Sequence, residues 1–189
     1  PVGIVTKSAL VTRDIDILQP MAAKGLAKVA VSITTLDRHV ARAMEPRAAT
    51  PSRRLETVRQ LSQADIPVTV MVAPIIPGLT DHEIEPILEA AREAGARDAG
   101  YVLLRLPLEI KTLFREWLAE EFPGRANRVI SLLQSMHGGR DYTPEFGLRQ
   151  RGKGPYATQI ALRFRLAKRR LGLGGERGAM RTDLFEPPG

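Results

Sequence analysis

The chain has 189 residues, 43% of them apolar, which supports a sizeable globular core and argues against wholesale disorder. It contains no cysteine, which excludes disulfides, thiolate zinc sites and cysteine-ligated iron–sulfur clusters within these residues. The net charge of +7 is uneven: residues 1–150 carry 19 Lys/Arg against 18 Asp/Glu, and residues 151–189 carry 9 against 3.

Residues 2–6 form a short β-branched run that reads as a buried strand. From Asp14 the spacing of Ile15, Leu18, Met21 and Ala22 predicts a helix closed by Gly25. Residues 28–34 read as a second strand. Residues 52–64 read as a helix with Ser52 as its cap and Leu55, Val58 and Leu61 as its apolar stripe. Residues 67–75, apolar on both faces, are the third strand. A Pro-Gly loop follows, and Thr80 or Asp81 is expected to cap a helix that stops at Gly95. Residues 100–106 are the fourth strand.

Strands that alternate with amphipathic helices and are apolar on both faces predict an α/β fold with a parallel sheet. Four βα units are too few for an eight-strand barrel. They fit half of one, or the back part of an open six-strand one. Four parallel strands in sequence order, with helices on one side, would then leave the first strand as an exposed edge. The remainder differs in kind. Residues 110–121 and 126–136 read as helices, residues 141–155 as a loop, and residues 156–171 as a basic amphipathic helix. In that last helix Ile160, Phe164, Ala167 and Leu171 face inward, and Arg163, Lys168, Arg169 and Arg170 can face out. This organisation gives a core over residues 1–108, a helical extension over 109–171 and a poorly packed tail over 172–189.

The basic excess of the last fifth fits a polyanion partner such as nucleic acid, or simply a solvated face. No apolar run approaches the roughly 18 residues of a membrane span and nothing reads as a signal peptide, so the cytoplasm is the expected location.

Ligands of parallel α/β folds bind beyond the carboxyl ends of the strands. There the chain offers Lys7, Ser32, Thr34 and Thr35, the segment Ala73, Pro74, Ile75, Ile76 and Pro77, and Arg105. A lysine, hydroxyls and an arginine on one rim can hold a carboxylate or phosphate, and a Pro/Ile wall can take the face of a base. Each is also an ordinary turn residue. The segment from Glu45 through Arg47 and Thr50 is long and polar for a βα loop, which fits a functional loop or a helix approach with a local Glu45–Arg47 ion pair. No G-x-S-x-G, Walker A or HExxH motif occurs.

The ordered strings IVTKSALVTRDIDIL, VAVSITTLD, EPRAATPSRRLETVRQL, VMVAPIIPGLTD and GYVLLRLP resemble the later part of radical S-adenosylmethionine (radical SAM) proteins, nearest to the spore photoproduct lyase-like, DNA repair photolyase-like branch. The resemblance covers about residues 1–108. It implies a partial parallel (β/α) barrel of which these are strands three to six. By the same resemblance Lys7, Ser32, Ala73, Pro74 and Ile75 correspond to S-adenosylmethionine contacts, and Glu45, Arg47 and Thr50 to a recurrent loop motif of the branch; with Arg105, read from its strand-end position, these three are the candidate substrate-binding residues. Such enzymes hold a [4Fe–4S] cluster on three cysteines and generate a 5′-deoxyadenosyl radical. This chain lacks those cysteines and begins with Pro1, so the expectation is a C-terminal portion that is inactive without the missing N-terminal half of the barrel. The alternative is a cluster-free α/β module that engages nucleic acid through its basic C-terminal helix.

Overall fold

The β-branched runs pair side by side into a four-stranded sheet. A computed structural model describes residues 1–139, 150–174 and 180–184. Strands β1 (Val2–Thr6), β2 (Ala27–Ser32), β3 (Val68–Ile75) and β4 (Asp98–Leu103) are all parallel and lie in the order β1-β2-β3-β4. Each connection carries helix: α1 (Ile15–Ala23) after a 3-10 turn at Ala9–Asp14, α2 (Arg38–Met44) with α3 (Pro51–Gln63), and α4 (Ile84–Glu93). Then come α5 (Ile110–Glu121), α6 (Ala126–Met136) and α7 (Gly154–Arg170).

The pairing register fixes two faces. Val29 faces the same way as Val68, and Val31 the same way as Val70; these four are buried with Val72, Ala99, Tyr101 and Leu103. The other series is more open: Gly3, Val5 and Lys28 are exposed, and Ala30, Thr69, Met71 and Gly100 half-buried. β1 pairs with β2 alone, and Val5 on this edge strand is 74% exposed. Among the described residues this is the open edge that the sequence predicts.

Several expectations are corrected. The cap of α3 is Thr50, whose hydroxyl accepts from the Arg53 N–H, and not Ser52. Pro51 takes the first helical position, where its missing N–H costs nothing, and that moves the cap two residues earlier. Neither Thr80 nor Asp81 caps α4. Thr80 Oγ1 instead accepts from Ile76 N at 2.9 Å and Asp81 Oδ1 from Gly78 N at 2.8 Å, which closes the preceding loop. The helix begins after a 3-10 turn at Asp81–Glu83. α2 was not expected; the Asp37 carboxylate caps it by accepting from His39 N and Val40 N. Lys168 does not face out. Its ammonium donates to Asp98 Oδ1 at 2.5 Å and to the Ala99 carbonyl at 2.8 Å. Arg163 pairs with Glu85 and Arg170 with Glu89, so three cations of α7 bind α4 and β4. Most of the loop expected over residues 141–155, and much of the tail, lie outside the described residues.

Candidate functional site

The carboxyl ends of the strands bring part of the expected set together. Lys7 follows β1, and its ammonium donates to Glu45 in the loop after α2. The other oxygen of Glu45 accepts from Arg54 on α3. The Arg54 side chain is 3% exposed; its Nε donates to the Ala49 carbonyl at 2.8 Å and its NH1 to the Ser32 carbonyl at 2.9 Å. A buried guanidinium is tolerated only with its donors satisfied in this way. Burial is the largest influence on Glu45 and pushes its pKa up. The hydrogen bonds from Lys7 and Arg54 outweigh it and leave the carboxyl below its ordinary value.

The Glu45–Arg47 ion pair considered from sequence does not form, because Lys7 and Arg54 take both carboxylate oxygens. Arg47 instead lines a groove of about 410 Å³ with Val5, Thr6, Lys7 and Ser8. Thr50 lies across the same loop, in a second groove of about 580 Å³ with Arg38, His39, Arg42 and Glu45.

Ser32, the last residue of β2, and Thr34 just beyond it direct their hydroxyls at one acceptor. Both donate to the Ala73 carbonyl, at 2.8 and 3.0 Å, joining the exit of β2 to the end of β3. The Ala73–Pro74 peptide is cis. Each hydroxyl oxygen keeps lone pairs for a further donor. Thr35 is committed elsewhere: its hydroxyl donates to Glu83 Oε1 at 2.5 Å, while Leu36 N donates to Glu83 Oε2 at 2.6 Å. Ala73 and Pro74 are half-buried. Ile75 and Ile76 are fully buried in the core, so the pair supports the segment from beneath and does not form an open wall. Arg105 follows β4 at the opposite edge of the sheet from β1 and lines neither groove that the Glu45–Thr50 loop forms.

Sequence reasoning missed Arg54 and Glu83. A signal for Arg54 was present. Stepping back along α3 from Leu61 through Val58, the helical period lands on Arg54, a charge at a core-facing position. Such a residue requires partners, and Glu45 was the acid in reach.

Residues 1–91 match the family model of the Radical SAM superfamily. Full-length members of that superfamily use S-adenosylmethionine with a [4Fe–4S] cluster. The uncharacterized protein Rv2578c of Mycobacterium tuberculosis is 32% identical over 134 residues, covering 70% of this chain and 39% of the relative. The uncharacterized protein Mb2609c of Mycobacterium bovis is similar to the same extent. The uncharacterized protein ORF301 of Acidianus two-tailed virus is 43% identical over 74 residues, 39% of this chain and 24% of its own length. The chain thus spans about two fifths of the mycobacterial relatives and a quarter of the viral one.

Proposed function

We propose that residues 1–108 are strands three to six of a radical SAM barrel of the spore photoproduct lyase-like branch, and that their rim binds S-adenosylmethionine. The observation that carries this reading is the Lys7 groove, within the stretch that matches the superfamily. Lys7 and Arg47 line it, and Glu45, the carboxylate that Lys7 pairs with, is shared with buried Arg54. The rim therefore keeps an excess of positive charge for an anionic ligand end.

In this reading Lys7 receives the methionine carboxylate with the two ammonium protons that Glu45 leaves free. The Ser32 oxygen accepts from the ligand's amino group, since its own proton lies on the Ala73 carbonyl. Ala73 and Pro74 flank the adenine, with Ile75 packed beneath. Glu45, Arg47 and Thr50 shape the rim toward substrate. When bound and reductively cleaved, S-adenosylmethionine supplies a 5′-deoxyadenosyl radical for hydrogen abstraction; the protein positions it and excludes water.

These residues do not fit a [4Fe–4S] cluster. The sequence has no cysteine, and among the described residues no three His, Asp or Glu side chains group as metal ligands. In the proposed enzyme the cluster is held outside this chain, and the chain alone is inactive. The competing reading, a nucleic-acid module built on α7, is less favoured because three of that helix's cations are already paired with acids of the fold.

Chemical-shift mapping with S-adenosylmethionine tests the proposal. Binding in the millimolar range that perturbs Lys7, Ser32 and Ala73 supports it. Perturbations confined to α7, or none, refute it.

A further inference from the structure

Arg54 touches both halves of the proposed rim. One face of its guanidinium holds Glu45, which holds Lys7; another donor holds the Ser32 carbonyl at the exit of β2. A third contact, to the Ala49 carbonyl, fixes the loop between them. The exit of β2 and two points of the Glu45–Thr50 loop thus converge on one buried side chain, and Lys7 joins them through Glu45.

We infer that Arg54 is a positioning residue: through Glu45 it sets where the Lys7 ammonium stands, and through the Ser32 backbone it sets where the Ser32 hydroxyl stands. The inference rests on the reading of Lys7 and Ser32 as ligand contacts. The physical reason lies in the charge pattern. One carboxylate shared between two cations leaves a net positive charge, and Lys7 is the exposed member of the three. Without Arg54, Glu45 would belong to Lys7 alone. The ammonium would be neutralised and drawn onto it, away from an incoming carboxylate. Lysine cannot substitute fully, because a single ammonium does not reach three diverging acceptors as a planar guanidinium does.

The test uses the whole chain with two readouts. The first needs no ligand: NMR titration of the Glu45 carboxyl in wild type and Arg54→Gln, with folding checked by circular dichroism. The inference expects the Glu45 midpoint to rise in the variant; an unmoved midpoint overturns it. The second is S-adenosylmethionine affinity in Arg54→Gln, Lys7→Gln and the double variant. The expected loss is about tenfold in each single variant, and the double loses less than the product of the two, because part of the Arg54 effect runs through Lys7. Fully additive losses would mark Arg54 as merely structural and overturn the inference. If Arg54→Gln does not fold, Arg54→Lys keeps the charge and carries both readouts. An intermediate loss of affinity then supports the inference, and wild-type affinity overturns it. If wild type itself does not bind S-adenosylmethionine, the proposed function falls, and the Glu45 titration alone decides whether Arg54 positions Lys7.

Discussion

The Ser32 hydroxyl donates to the carbonyl oxygen of Ala73 at 2.8 Å, a bond that spans 41 residues and ties the exit of β2 to the end of β3. Thr34 donates to the same oxygen. Ser32→Ala should therefore cost only about 0.5–1.5 kcal/mol, because the carbonyl keeps one partner. Ser32→Ala combined with Thr34→Val should cost more than the sum of the two, since the half-buried carbonyl then has neither hydroxyl. Urea denaturation of the three variants measures this, and strict additivity would show that the shared acceptor does not couple them.

Gly95 closes α4 at a φ of +102°, a region that side chains rarely adopt. A Cβ there would collide with Ser62 Oγ, which donates to the Gly95 carbonyl at 3.0 Å. Gly95→Ala should destabilise the fold by about 1–3 kcal/mol, read from the thermal midpoint. An unchanged midpoint would mean that the turn relaxes freely.

Burial and the hydrogen bond to Asp81 push the Tyr156 phenol up to about 12. Because the pKa is raised in the folded state, the contact's contribution is complete below the ordinary value of 10.0 and is lost as pH rises toward about 12. The ultraviolet difference titration between wild type and Tyr156→Phe should show phenolate only at the upper end of that window. A midpoint near the ordinary value would show that the Asp81 bond does not form.

Anaerobic reconstitution with iron and sulfide should give no stable [4Fe–4S] absorbance, because the chain has no thiolate to offer. A stoichiometric cluster on this chain would require a ligand set that the proposal does not contain.

The strands were legible as short apolar runs between helical patterns, although β2 ends two residues and β4 three residues before the expected limit, and the spans of α5 and α6 follow directly from their apolar spacing. Helix α2 was not legible: its seven residues are too few for a clear period, and Pro46 soon after it suggests loop. The caps of α3 and α4 were misplaced because Pro51 moves one, and because Thr80 and Asp81 bond backward to Ile76 and Gly78. At the site, Lys7 and Ser32 stood out as polar residues at strand ends, and Glu45 as part of a long polar loop. Their actual partners did not, since the contacts from Lys7 to Glu45 and from Arg54 to Ser32 span 38 and 22 residues. Such pairings depend on strand order and helix rotation, which composition and periodicity do not encode. The pairing of Lys168 with Asp98 across 70 residues, which turns a seemingly free cation inward, has the same origin.

The central claim is that the Lys7 rim receives S-adenosylmethionine, and the affinity of this ligand for wild type and Lys7→Ala, measured side by side by calorimetry, tests it most directly. Loss of one charge-assisted bond of roughly 1.5–3 kcal/mol predicts binding weaker by about tenfold or more in the variant. Equal affinity would contradict the account and leave Lys7 as a strand-end residue whose partner is Glu45 alone.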